Sequence, residues 1–185
     1  MKPISDLIMG NCCSSNSSST PHLPHVESMV GTYRRVSCTG MEELLRVQTG
    51  FDDQRAKVAG NNDTPCNLIV EFDDSTNMWT MKYMRSNMEQ IIMFYMPKHA
   101  KVAEKVVRVI NVPARTTPQP RMEVARNSTG RSLQFSDTKM KKGTIRMERK
   151  FTENFIFMEV TQVVSLRGKE VKCVEKFIRS EYNDA

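Results

Sequence analysis

From about Met29 onward, apolar and polar residues alternate in short runs rich in Val, Ile, Met, Phe and Tyr, broken by Gly, Pro, Asn and Asp. A period of two with such breaks predicts antiparallel strands. The runs fall near residues 31–37, 67–72, 77–84, 89–96, 105–112, 120–126, 131–136, 143–151, 154–165 and 169–179. One stretch has a different period. In GMEELLRVQTGFDDQRAKVAG, residues 40–60, Met41, Leu44, Leu45 and Gln48 recur at helical spacing. Thr49-Gly50 is a stop signal before a second short helix opening at FDDQ. Residues 113–120, PARTTPQP, carry three prolines and predict a connection. One strand, two short helices and nine further strands close most economically into an up-and-down antiparallel barrel of ten strands, with the helix-turn-helix as a lid between the first two.

Residues 1–28 lack this pattern. SSNSSST at 14–20 followed by PHLPH reads as a flexible Ser/Pro-rich tail, leaving 29–185 as the barrel domain. With 39% hydrophobic and 26% charged residues in a chain of 185, a core is available and general disorder is excluded. No apolar run approaches the ~18 residues of a spanning helix. The opening MKPISDLIMG is a poor secretory signal, its apolar stretch being short and broken by Asp6. Five cysteines, with only Cys12 and Cys13 adjacent, form neither a disulfide framework nor a zinc pattern, so a cytoplasmic location is expected. His22 and His25 add no metal-ligand spacing, so no metal is expected.

The net charge of +6 directs attention to acidic partners. Lys98, Lys101, Lys105 and Arg108 form one basic run, and Lys139, Lys141, Lys142, Arg146 and Lys150 another. Each is either a solvated face or a docking surface for anionic membrane. Neither is interleaved with aromatics, so nucleic acid is not an expected partner. The chain has no Gly-rich phosphate loop and no nucleophile–base arrangement, and it is expected to be neither an enzyme nor a cofactor protein.

GTYRRVSCTGMEELLRV, residues 31–47, resembles the opening of the intracellular lipid-binding proteins, the fatty-acid- and retinoid-binding barrels. Gly31, Thr32, Tyr33, Val36, Met41, Glu42 and Glu43 fall in that family's register without a gap. The likeness continues through GFDDQRAKVAG (50–60), Pro65 and NLIVEF (67–72), and returns in GKEVKCVEKF (168–177). It is loosest from 97 to 142. The resemblance implies a non-enzymatic, cytoplasmic and monomeric carrier of a long-chain fatty acid or similar hydrophobic ligand. The alternative is a barrel with a closed or altered cavity that serves as a membrane- or protein-interaction module.

The family's anchor for a fatty-acid carboxylate on the last strand is Arg-x-Tyr, and this chain departs from it. Alternation puts Val171, Cys173, Glu175 and Phe177 on one face and Lys172, Val174 and Lys176 on the other, so Glu175 and Phe177 stand at the anchor positions. A second family arginine, four residues before a hairpin turn, matches Arg149, which shares a face with Ile145, Met147 and Phe151. Arg35 is two residues after Tyr33 and so on the same inward face. Two readings are open. Either Glu175 pairs with one arginine and the other holds a ligand carboxylate, or both arginines satisfy Glu175 and no anion is anchored. The candidate ligand-binding residues are therefore Arg149, Arg35, Glu175, Phe177, Tyr33, Met147 and Phe157, with Phe155 and Phe157 alternating on one strand toward the interior. Fourteen methionines, among them Met78, Met81, Met84, Met88, Met93 and Met96, fill the core or adapt to a varied ligand.

Met9-Gly10-Asn11-Cys12-Cys13-Ser14 matches the myristoylation pattern, with cysteines suited to palmitoylation. Acylation of Gly10 requires translation from Met9 or proteolysis before Gly10; otherwise the match is chance. Two acyl chains would tether the carrier to a membrane.

Overall fold

The computed structural model describes residues 26–182, apart from 62, 86–87, 113–121, 141–142 and 153. Ten strands and two helices follow in the expected order. They are β1 (Gly31–Thr39), α1 (Met41–Thr49), α2 (Asp53–Gly60), β2 (Cys66–Asp73), β3 (Met78–Arg85), β4 (Met88–Tyr95), β5 (Lys105–Val112), β6 (Glu123–Arg126), β7 (Ser132–Met140), β8 (Gly143–Phe151), β9 (Phe157–Leu166) and β10 (Lys169–Arg179). The expected connection at 113–120 lies outside the described residues.

All ten strands form one antiparallel sheet in the order β5-β4-β3-β2-β1-β10-β9-β8-β7-β6, so consecutive strands pair except β5 with β6, and β1 closes onto β10. The remaining seam lies between β5 and β6. Residues just before β5 bridge it: Val102 pairs with Ala125, Ala103 N donates to the Val124 carbonyl at 2.9 Å, and Arg126 N donates to the Lys101 carbonyl. The result is a nearly closed barrel.

Alternation along the strands sorts side chains into an inner core and an outer face. The main core joins Leu68 and Val70 of β2, Trp79 and Met81 of β3, Ile92 and Phe94 of β4, Leu133 and Phe135 of β7, and Phe177 of β10. Val26 and Met29, next to β1, are buried in it as well. A second cluster lies under the lid, where Met41, Leu44 and Leu45 of α1 and Ala56 of α2 cover Cys38, Val164, Val171 and Cys173. Of the central methionines, Met81 and Met96 are buried while Met84 is exposed.

Two irregularities change which residues face inward. In β1 the register slips between Arg35 and Ser37, leaving Val36 as an extra, exposed residue. This bulge reverses parity, so Tyr33, Arg35 and Cys38 all face the core. The second irregularity corrects the expectation for Phe157. Phe155 does not lie in a strand. It occupies a turn at φ 58°, where it is buried and packs against Phe151. The strand starts only at Phe157, with inward parity carried by Met158 and Val160, and Phe157 is left 46% exposed on the outside.

Candidate ligand site inside the barrel

β1, β3, β8 and β10 bring four polar side chains to the buried face of the sheet. Arg35 of β1 and Glu175 of β10 lie two ladder positions apart, with Cys38 directly opposite Glu175. The Arg35 Nη1 is 3.1 Å from Glu175 Oε1, and the two side chains are 1% and 6% exposed. Tyr83 of β3 donates its hydroxyl to the same oxygen at 3.0 Å. Burial opposes the Arg35 charge, but the hydrogen bond and charge of Glu175 outweigh it and hold the guanidinium above its ordinary pKa. Burial, reinforced by the Glu175 charge, drives the Tyr83 phenol well above its ordinary value, so it stays a donor.

The same arginine ties the lid down. Its Nη2 donates to the carbonyls of Asn61 (3.2 Å) and Thr64 (2.8 Å) in the loop leaving α2. Arg85, at the end of β3 and itself buried, donates to the Asn61 carbonyl at 2.9 Å. Two buried cations thus hold the exit of the lid through backbone acceptors.

Arg149 of β8 is placed differently. It is 1% exposed, its guanidinium lies 5.0 Å from the centre of the Phe135 ring, and its Nη1 points at the Met81 thioether. Thioether sulfur is a weak acceptor. Its Nε has no hydrogen-bond partner among the described residues. Burial pulls its pKa down to about 10, with Glu175 and Tyr83 offsetting only part of that effect. The group is still charged at neutral pH, and no described carboxylate forms an ion pair with it within 4 Å.

The other expected site residues divide by position. Phe177 and Met147 are buried. Tyr33 is fully buried, but its hydroxyl donates to the Met29 carbonyl at 3.1 Å and its ring meets Phe151 edge-on, so it fixes the end of the barrel remote from the lid. Phe157 is outside the set. Gly10, Cys12 and Cys13 lie outside the described residues.

Sequence reading missed Tyr83, Arg85 and Arg126. The signal was present for the first two, since they share parity with Trp79 and Met81, but a polar residue at a strand end reads as outward. Arg126 sits 5.7 Å over the Trp79 ring and donates to the Lys98 carbonyl at 2.6 Å, with Nε and Nη2 unpartnered among the described residues. Four buried arginines therefore face two buried acids, Asp137 and Glu175. Of the basic runs, Lys98 is bound to Glu27 and Asp74, whereas Arg146 and Lys150 are exposed.

With this geometry, the chain is similar to solved lipid-binding barrels. Lipid binding protein 8 of Caenorhabditis elegans aligns with a TM-score of 0.57 at 15% identity, over 84% of this chain and 97% of that one. A zebrafish ileal bile acid-binding protein in complex with cholic acid gives 0.55 at 12% identity, over 82% and 98%. Echinococcus granulosus fatty-acid-binding protein 1 gives 0.52 at 17% identity, over 83% and 98%. The chain has the fold of the intracellular lipid-binding proteins. No family model and no curated protein sequence matches it, so the likeness is carried by architecture. No helix among the described residues is long and apolar enough to cross a membrane.

Proposed function

We propose that the chain is a non-enzymatic carrier that holds a long-chain fatty acid, or a comparable hydrophobic acid, inside the barrel with its carboxylate on Arg149. The observation that carries this reading is the Arg149 guanidinium, buried and charged against a thioether and a phenyl ring, with its Nε unpaired among the described residues. Burying such a cation without a carboxylate costs several kcal/mol. A ligand carboxylate would accept two parallel hydrogen bonds there and supply the missing charge. Arg35 is a poor competitor for that role because Glu175 already occupies it. The neighbouring structures, described as fatty-acid- and bile-acid-binding proteins, are consistent with this class of ligand. The apolar wall is then supplied by Phe135, Met147, Met81 and Phe177.

The location that goes with this reading is the cytoplasm. The Gly10, Cys12 and Cys13 motif would add a membrane tether, and exposed Arg146 and Lys150 would meet anionic headgroups during transfer. One observation favours the second reading, a closed barrel used as an interaction module: Glu175, Arg35 and Tyr83 form a self-satisfied cluster at an anchor position.

Titration of the delipidated full chain with a fluorescent fatty-acid analogue, displaced by oleate, separates the two. Saturable, displaceable binding is expected. Arg149→Ala should weaken oleate at least tenfold and leave methyl oleate unchanged. Equal losses for acid and ester would remove the carboxylate site, and absence of binding by the folded wild type would select the closed barrel.

A further inference from the structure

Three cysteines are buried and unpaired among the described residues: Cys38, Cys66 and Cys173. Two of them meet. Cys38 of β1 and Cys173 of β10 lie on the same inner face with their sulfurs 3.9 Å apart. The Val36 bulge brings this about, since without it the register would turn Cys38 outward. The pair sits directly beneath α1, packed with Met41, Leu44 and Leu45, and two residues before the Gly40–Met41 start of the lid.

The two thiols are not equivalent. The two sulfurs share a hydrogen bond that either thiol can donate, and it lowers the Cys38 thiol below its ordinary pKa and raises that of Cys173. Cys38 also lines an open cleft of about 360 Å³ with Gly40, Met41, Glu42, Arg46 and Gly60, where the end of β1 meets the two lid helices. The nucleophilic member of the pair therefore has a route to solvent, while Cys173 is 1% exposed. Cys66 makes an internal contrast, since burial pushes it up to about 11.

We propose that Cys38 and Cys173 form a redox-active dithiol that a hydroperoxide converts into a cross-strand disulfide, stapling the hinge of the lid to β10. Hydrogen peroxide entering the cleft is attacked by the Cys38 thiolate. An S–O bond forms, the O–O bond breaks, and the departing hydroxide takes up a proton as water. The Cys173 sulfur then attacks the Cys38 sulfenic acid. The S–S bond forms, the S–O bond breaks, and hydroxide leaves with the Cys173 proton as a second water. Two thiols lose two electrons, and one peroxide gains them. The sulfurs must close from 3.9 Å to about 2 Å, and because Cys38 stands opposite Glu175, diagonal to Cys173, the closure draws in the backbone at the end of β1 together with the two side chains. Once formed, the bond fixes the last residues of β1 to β10 immediately before Gly40, where α1 begins, and beside Glu175. A dithiol reductant reverses it.

The test uses the reduced full chain and one equivalent of hydrogen peroxide. Tryptic peptides 36–46 and 173–176 should be joined, dithiothreitol should release them, and Cys66 should remain open to alkylation after unfolding. In Cys173→Ser, oxidation should stop at a Cys38 sulfenic acid trapped by dimedone. Amide hydrogen exchange over residues 40–49 should slow several-fold in the oxidised wild type and recover on reduction. Peptides 36–46 and 173–176 that remain separately alkylated, or a cross-link to another cysteine in their place, would overturn the disulfide. A cross-link with unchanged exchange would overturn its action on the lid.

Discussion

The Arg35 guanidinium lies 3.1 Å from the Glu175 carboxylate, and this contact divides the interior arginines into two kinds. Arg35 is neutralised and further engaged by backbone carbonyls of the loop after α2, whereas Arg149 faces a thioether and an aromatic ring. The same residue type, buried at two places in one barrel, is thus matched by a carboxylate in one and faces only weak partners in the other.

Replacement by methionine should separate them. Arg35→Met leaves Glu175 buried without its cation, and breaking a buried pair costs about 3–5 kcal/mol. Arg149→Met removes a charge that has no described carboxylate partner and should leave the stability of the ligand-free chain unchanged or slightly raised. Urea unfolding of the two delipidated variants checks this. A large loss for Arg149→Met would mean that the residue is needed to hold the barrel together.

Tyr33 makes alkaline pH destabilising. Burial raises its phenol to about 12 from an ordinary value of 10. Below pH 10 it is protonated in both states. Between about 10 and 12 the unfolded chain releases the proton that the folded chain keeps, so stability falls as pH rises through that window. The loss is on the order of 2–3 kcal/mol for two pKa units. Tyr33→Phe should be less stable than wild type at pH 7, by about 1 kcal/mol for the lost hydrogen bond to Met29. Its stability should change less between pH 10 and 11.5, as read from denaturant midpoints at each pH. A parallel decline in both proteins would place the alkaline sensitivity elsewhere.

Phe155 and Phe157 should respond in opposite ways to truncation. Phe155 is buried against Phe151, and Phe155→Ala should cost about 3 kcal/mol or more. Phe157→Ala, on the outer face, should stay within about 0.5 kcal/mol and leave oleate affinity untouched. Loss of ligand binding in Phe157→Ala, with stability intact, would contradict its outward placement.

These two phenylalanines also show where a sequence is readable and where it is not. Alternation located all ten strands because half-buried strands must repeat with a period of two. It placed Arg35, Arg149, Glu175 and Phe177 on the inner face for the same reason. It failed at Phe157 because the left-handed turn at Phe155 resets the parity, and a phenylalanine carries no hint of positive φ. The Val36 bulge was equally silent, yet it decides that Cys38 meets Cys173. The choice of Arg35 over Arg149 as the partner of Glu175 depends on which strands adjoin: β1 is hydrogen-bonded to β10, whereas β8 is separated from β10 by β9. Pairing of that kind spans well over a hundred residues and leaves no local trace.

The lid hinge gives the last prediction. Gly40 and Gly50 bracket α1, both at positive φ (79° and 71°), so a side chain at either is strained by about 1–2 kcal/mol. Their surroundings differ. A Cβ at Gly40 would run into the Lys172 carbonyl of β10, a backbone atom that cannot swing aside, whereas at Gly50 it would meet nothing within 4 Å. Gly50→Ala should therefore show the conformational penalty alone, and Gly40→Ala should lose clearly more, since β1 and β10 must part to admit the methyl group. If α1 is hinged at this contact, Gly40→Ala should also speed release of a bound fluorescent fatty acid measured by stopped flow, while Gly50→Ala should not. Equal losses of stability in the two variants would mean that the Gly40–Lys172 approach is looser than the fold implies.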